Sequence, residues 1–436
     1  MLPWRRSAPT LTPVRNDLDR SPTPEAPEAG GTRSRGTRLG RIARGALLVA
    51  AACVAIFVLF GQLSAILPVG WWSPVLSTLA LQQPVLSLSV IRDVYGSWLI
   101  VLAALALVVG LVELRRRGRR RLPATVSALS GLAMVLVLIT TTVQILSVHG
   151  ATGQWYVFSP TTPASSVGRG PDKTVAYATL GGQQLRADLY LPKTSSTAPL
   201  VVSIHGGGFI AGSRGPTPYL SWLADNGYAV LDVDYRLGTA TEHTWNTADA
   251  DVACAMTWAT AHASEYRWDL DKVATFGGSA GGNLAINVAY KIDAGTLTPS
   301  CGSAAQLPRV KAVIASYPVV DMTVSVGETA FGEQVSDWYV GGTPAQYPQR
   351  YQAIDSANQI TPAAPPTLIL QGGRDHLVFA DHTKAFADEL TAAGVTNRYV
   401  ELPFLEHAYD GTSLNIGTKA TRGLMLPWLQ KYVGDG

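Results

Sequence analysis

Cysteine is scarce in this sequence: Cys53, Cys254 and Cys301 are the three in 436 residues, and no CxxC pair or Cys/His cluster occurs. The ligand spacing on which zinc and iron–sulfur sites rely is therefore missing. Also missing is the lysine-bearing G-x-x-x-x-G-K-[ST] loop that cradles phosphates. Charge is sparse: charged residues make up 15% of the chain and the formal net charge is +3. The arginines crowd into the first 121 residues beside apolar runs, where they read as topology signals and not as a nucleic-acid footprint. No metal, no other cofactor and no nucleic-acid partner is expected.

Long apolar runs are abundant, and the mean hydropathy is positive. Residues 1–41, rich in Pro, Ser, Thr, Gly and Arg, hold too little apolar surface to order themselves and read as a disordered basic tail. Three runs follow, at about 42–67, 94–112 and 124–148. Each is long enough to cross about 30 Å of hydrocarbon as a helix. The first is too long and starts too far from Met1 for an ordinary cleaved signal peptide.

Orientation follows from the arginines. Arg33, Arg35, Arg38 and Arg41 precede the first run, Arg44 stands at its start, and "RRRGRRR" at 115–121 separates the second from the third. In contrast, Arg92 and Asp93 are the charged residues of the loop from about Pro68 to Asp93. The positive-inside rule predicts a multi-pass membrane protein with three spans, a cytoplasmic N-terminus and an extracytoplasmic C-terminal part. Trp71 and Trp72, and then Trp155 and Tyr156, stand where interfacial aromatics are common, although loop packing would explain them equally. If the C-terminal part faces an oxidising compartment, Cys254 and Cys301 could pair; otherwise they are two buried thiols.

Beyond a Pro/Ser/Thr/Gly-rich linker within 150–171, the texture becomes α/β over residues 172–436. Eight short β-type runs ("TVAYATL", "LRADLYLP", "LVVSIHG", "YAVLDVDY", "KVATFGG", "VKAVIASYP", "PTLILQGG", "RYVELP") alternate with helical stretches near 217–226, 247–265, 280–291, 380–393 and 418–432. Continuous apolar strands with helices between them predict a mostly parallel sheet covered on both faces. The first two, joined by "GGQQ", read as an antiparallel hairpin at its edge.

The stretch "FGGSAGG" places Ser279 in G-x-S-x-G between a strand and a helix. A nucleophile on a sharp strand-to-helix turn needs such small neighbours, because strand and helix backbones approach it closely. The competing reading is a glycine-rich turn with a serine helix cap. Earlier, "HGGGF" at His205–Phe209 follows the strand "LVVSI" directly. Backbone N–H groups there could stabilise a developing oxyanion, with Gly207 and Gly208 as donors and the amide of Ala280 as a third; otherwise it is a mobile glycine loop. With this motif the chain order is Ser, then Asp or Glu, then His, which leaves His376, His382 and His407. His407 follows the last strand and is the expected base. Asp375, at the end of the preceding strand, is the expected orienting acid, whereas Asp381 reads as a helix N-cap.

Together "HGGGF", "DVDYRL", "GGSAGGNLA" and "GGRDHLV…EHAYD" resemble the α/β-hydrolase superfamily, specifically the hormone-sensitive-lipase-like bacterial carboxylesterases and the neighbouring feruloyl/acetyl-esterase-like group. The resemblance covers roughly residues 172–436. It implies an α/β-hydrolase fold with a cap insertion at about 321–360, preceded by an all-α membrane segment that those soluble enzymes lack. Many relatives carry an aspartate before the nucleophile; here Gly278 stands there. The expected function is a serine carboxylesterase or lipase-like hydrolase, membrane-anchored and acting through an acyl-enzyme on Ser279. Its substrate would be a small or medium acyl ester, free or carried on an envelope lipid or polysaccharide. Phe331, Trp338, Tyr339, Tyr347 and Tyr351 would either line the acyl pocket or pack the cap. An acyltransferase or amidase with the same triad is an alternative. A non-catalytic membrane scaffold is another, but it would call for a missing triad member.

Overall fold

The structure, a computed structural model, describes residues 32–67, 82–117, 120–156, 167–194, 196–302, 306–412 and 415–436. The tail before residue 32, Trp71 and Trp72, and linker residues 157–166 lie outside these. The chain divides into two compact units, Met1–Leu47 and Leu48–Gly436.

Three long helices come first: α1 (Thr32–Ile66), α2 (Gln82–Arg117) and α3 (Arg121–Thr152). All three run past the apolar segments from which they were read. Residues 32–41, assigned above to a disordered tail, begin α1, because a helical hydrogen-bond ladder continues through arginine, a good helix former. Asp93 and Arg92, assigned to a loop, lie inside α2. The "RRRGRRR" segment is mostly helical: Arg115–Arg117 end α2 and Arg121 opens α3. Stretches of all three, Leu39–Ile66, Trp98–Arg116 and Arg121–Thr152, are long and apolar enough to cross a membrane.

Within the second unit, these helices pack through an apolar seam that includes Val58, Leu99, Ala103, Ala133 and Val137. A few buried polar bonds add to it, among them Thr140 Oγ1 to Gln62 Oε1 at 2.6 Å and Ser64 Oγ to Ser89 Oγ at 3.2 Å. Leu105, Val108, Leu132, Val135 and Ile139 point outward and are exposed. Helices that hold polar groups inside and present leucine and valine outside suit a lipid surrounding.

The remainder is one eight-stranded sheet in the order β1-β2-β4-β3-β5-β6-β7-β8. The strands are β1 (Lys173–Leu180), β2 (Gln183–Tyr190), β3 (Ala198–Ile204), β4 (Ala229–Val233), β5 (Trp268–Gly278), β6 (Val310–Ser316), β7 (Thr367–Gly372) and β8 (Asn397–Leu402). β1 and β2 form the antiparallel edge hairpin, turning at Gly181 and Gly182 with φ of 57° and 79°, as a two-residue turn of this hand requires. β2 also pairs antiparallel with β4, and from the β4–β3 pair onward every pairing is parallel. β3 and β4 are buried at every residue because both faces are covered.

Alternate strand residues enter two cores. Leu200, Val202, Leu231 and Val313 face α5 (Ala248–Tyr266), α6 (Ala280–Asp293) and α10 (Ala380–Ala392). Val201, Val230, Ala274 and Ile314 face α4 (Leu220–Asp225) and α11 (Ile416–Tyr432). Between β6 and β7 the chain inserts α7 (Met322–Ser325), α8 (Ala330–Val335), a short π-turn at Ser336–Val340, and α9 (Pro348–Ile354), over the stretch assigned to a cap. The pairing left open above is made: Cys254 on α5 is disulfide-bonded to Cys301, with the Cα atoms 5.7 Å apart.

Candidate active site

Ser279 sits between β5 and α6 with φ 58° and ψ −124°, a conformation costly for a residue with a Cβ. Its N–H donates to the Ser316 carbonyl at 2.9 Å, which holds the turn against β6. The crossing is too tight for side chains on either side. A Cβ on Gly277 would lie 2.2 Å from the Gly281 carbonyl oxygen, and one on Gly281 would lie 2.1 Å from that of Ile204. These contacts are the physical reason for the G-x-S-x-G spacing.

The three residues expected to act together are brought into one hydrogen-bonded line. His407 Nε2 is 3.0 Å from Ser279 Oγ, and His407 Nδ1 is 2.8 Å from Asp375 Oδ2. With Nδ1–H facing the carboxylate, Nε2 is left to accept from the serine hydroxyl. Asp375 is 1% exposed; its Oδ1 accepts the N–H groups of Leu377 and Val378, and its Oδ2 also accepts from Gln371 Nε2 at 3.1 Å. Burial acts to lower the pKa of His407, but the charge of Asp375 and the bond to it outweigh burial and raise it above the ordinary histidine value. The edge of Tyr317 packs on the imidazole at 4.7 Å between ring centres.

The other two candidate histidines are engaged elsewhere. His376 Nδ1 meets Glu406 at 2.5 Å, and His382 Nε2 meets Glu328 at 3.2 Å. Asp381 lies in the first turn of α10, whose N-cap position is Phe379 and carries no side-chain cap bond, so Asp381 is not the N-cap read for it in the sequence. Among the described residues no three His, Cys, Asp or Glu side chains converge as a metal site would need.

Gly207 and Gly208 follow β3 with φ of 117° and 61° and line the space in front of Ser279. Ala280 is the first residue of α6, so its N–H has no acceptor within the helix. Two lobes meet at Ser279. The larger, about 440 Å³, runs past His205, Pro216, Tyr219, Asp410 and Gly411. The smaller, about 30 Å³, is lined by Phe209, Val319, Met322, Phe331, Val335 and Val378. Of the five cap aromatics, Phe331 borders both lobes. Tyr339 instead stacks on Phe209, and the buried Tyr351 bonds to Ser336 and Gly342, so both pack the cap.

Three neighbours of the site went unread in the sequence. Glu406, fully buried, accepts the N–H groups of His376 and His407. Asp410 accepts the hydroxyls of Tyr317 and Tyr219, each at 2.6 Å. Tyr317 also accounts for the glycine where many relatives have aspartate: a Cβ on Gly278 would come within 3.0 Å of its ring and hydroxyl. "LEHAYD" carried the acidic residues in plain view, but sequence spacing could not say which would turn inward.

The BD-FAE family pattern matches residues 187–390. The probable carboxylic ester hydrolase LipM of Mycobacterium tuberculosis is 32% identical over 230 residues, 52% of this chain and 52% of LipM. The chain thus spans about half the length of the curated relative. Esterase LipI of the same organism is 31% identical over 256 residues, 54% of this chain and 75% of LipI. Among solved structures, Thermogutta terrifontis esterase 2 phosphonylated by sarin superposes with a TM-score of 0.51 and 22% identity, covering 59% of this chain and 94% of that one. The sheet order, the strand–serine–helix turn and the coverage of LipI agree: the chain belongs to the α/β-hydrolase esterases, the family of BD-FAE and the Lip carboxylesterases.

Proposed function

We propose that this protein is a membrane-embedded serine esterase whose catalytic domain works outside the cytoplasm. The observation that carries the chemistry is the line from Ser279 Oγ through His407 to Asp375, at 3.0 and 2.8 Å. Ser279 Oγ attacks the ester carbonyl while its proton passes to His407 Nε2. Charge then develops on the carbonyl oxygen, opposite the N–H groups of Gly207, Gly208 and Ala280, where each preorganised donor is worth roughly 10²–10³ in rate. The tetrahedral adduct collapses as the imidazolium returns the proton to the departing alcohol. Water, deprotonated by His407, releases the acid from Ser279. Asp375 keeps the imidazole in the required tautomer and stabilises its charged form.

The two lobes divide the substrate. The apolar lobe of about 30 Å³ suits a short acyl group such as acetyl or propionyl, and the lobe of about 440 Å³ suits the larger alcohol portion. An acylated envelope lipid or polysaccharide fits that division.

The topology rests on two further observations. α2 starts and α3 ends beside the hydrolase domain, so Arg115–Arg117 and Arg121 stand at the opposite ends of these helices, as a positive-inside arrangement requires. The Cys254–Cys301 disulfide fits an oxidising compartment. A fluorophosphonate probe applied to the full-length protein should label Ser279, and labelling that persists in Ser279→Ala would overturn the triad. A reporter fused after Gly436 should read the outer side; a cytoplasmic signal would overturn the topology alone.

A further inference from the structure

Arg92 and Asp93 stand near the start of α2, buried to 5% and 6% exposure. Charged groups on a helix of this apolarity are costly to bury and need a specific return. Here the pair is internally bonded, Arg92 Nε to Asp93 Oδ1 at 2.9 Å. Its remaining bonds point outward from α2 in two directions. One guanidinium nitrogen donates to the Gly61 carbonyl of α1 at 3.2 Å, and the other donates to the Phe404 carbonyl at 2.6 Å. The free carboxylate oxygen of Asp93 accepts the backbone N–H of Glu406 at 2.7 Å.

Phe404 and Glu406 belong to the loop that carries His407. That loop is not relaxed, since Phe404 and Ala408 have φ of 64° and 54°, the left-handed region that non-glycine residues populate reluctantly. Such a conformation persists only where its surroundings over-determine it. Part of that constraint is local: the Glu406 carboxylate holds the His407 N–H at 2.9 Å. The Arg374 N–H adds a bond to the Leu405 carbonyl at 2.9 Å, and further constraint comes from the long helices. Asp93 and Arg92 fix the backbone on the N-terminal side of His407, while Val148 of α3 packs with Leu405 and Tyr409.

We infer that Arg92 and Asp93 are positioning residues for the esterase reaction, setting the height of the His407 imidazole over Ser279, and that the long helices are therefore part of the catalytic apparatus as well as an anchor. A simple tether could attach anywhere on the hydrolase surface. These bonds instead end within three residues of the base. The inference rests on His407 being the base, as proposed above.

The test uses the full-length protein in lipid nanodiscs and measures kcat and KM on p-nitrophenyl acetate, the labelling rate of Ser279 by a fluorophosphonate, and the pH profile. For Asp93→Ala, kcat and the labelling rate should fall together by about 10- to 100-fold, as expected for a base displaced by a fraction of an ångström to an ångström, while KM changes less than about threefold. Asp93→Asn, which keeps an acceptor oxygen for the Glu406 N–H, should recover most of the loss. Thr140→Val, which cuts the α3–α1 bond to Gln62 and removes no bond of Arg92, Asp93 or the His407 loop, should leave kcat unchanged. If Asp93→Ala fails to fold because Arg92 is left buried without its partner, the double variant Arg92→Met/Asp93→Leu removes both charges and should show the same kcat loss. Wild-type kcat and labelling in either folded variant, or an equal loss in Thr140→Val, would overturn the positioning role. Failure of the triad reading is separate, and would appear as wild-type protein that does not label.

Discussion

Asp375 and His407, 32 residues apart, meet at 2.8 Å across the loops that follow two adjacent parallel strands, β7 and β8. The carboxylate raises the histidine's pKa above 6.5 against the opposing effect of burial. Because His407, as the proposed base, must be neutral to accept the serine proton, kcat/KM should rise with pH through a midpoint above 6.5. Stability carries the opposite sign: a raised folded-state pKa contributes stability that is fully present below pH 6.5 and is lost as pH rises through the folded value. In Asp375→Asn the largest raising influence is removed while burial remains, and although Glu406 and Asp410 still act upward, the activity midpoint should move down. The plateau kcat should fall by about 10³- to 10⁴-fold, because the tautomer is no longer enforced. A pH–rate profile of both proteins checks this, and an unmoved midpoint would contradict the assignment.

The size of the apolar lobe makes a substrate prediction. Across p-nitrophenyl esters, kcat/KM should be greatest at acetate or propionate and decline by octanoate, since the lobe holds about 30 Å³. Phe331→Ala removes a side chain that borders both lobes and should shift the optimum to longer acyl chains. A wild-type optimum at octanoate would place the acyl group in the larger lobe instead.

Gly278→Asp installs the residue many relatives carry, yet it should damage this protein. The new side chain meets Tyr317, whose hydroxyl is bonded to Asp410 and whose ring edge packs on His407. Overpacking of this kind costs roughly 1–3 kcal/mol, and the displaced ring should lower kcat as well. Gly278→Ala, needing a smaller adjustment, should be milder in both thermal midpoint and kcat. The reverse order would argue against Tyr317 as the reason for the glycine.

Cys254 and Cys301 close a loop across a sequence separation of 47. Replacing both by serine should reduce unfolding free energy by about 2–4 kcal/mol, chiefly by freeing the unfolded chain. Activity at low temperature should be nearly intact, since neither cysteine lines the space around Ser279. Chemical denaturation with and without reductant gives the measurement.

Much of the fold was legible because its signals are local. Strand runs such as "LVVSI" and "TLILQG" are apolar at consecutive positions, which only a sheet covered on both faces explains economically, and the glycines around Ser279 mark a turn whose sterics depend on a few adjacent residues. Helix ends were less legible. Residues 32–41 join α1 although their composition reads as a polar tail, because an established helix extends through arginines without needing an apolar face.

Residue order alone was enough to read the sheet, the turn around Ser279, the chain order of the candidate triad and the presence of three apolar helices, all of which follow from side-chain period and backbone sterics over short spans. It took the folded chain to show that Glu406 turns inward, that Tyr317 occupies the space beside Gly278, that Cys254 meets Cys301, and that Arg92 and Asp93 reach across more than 300 residues of chain to the loop of His407. Those are pairings between distant segments. Their partners are chosen by how helices and strands dock, a geometry that no local pattern of residues encodes.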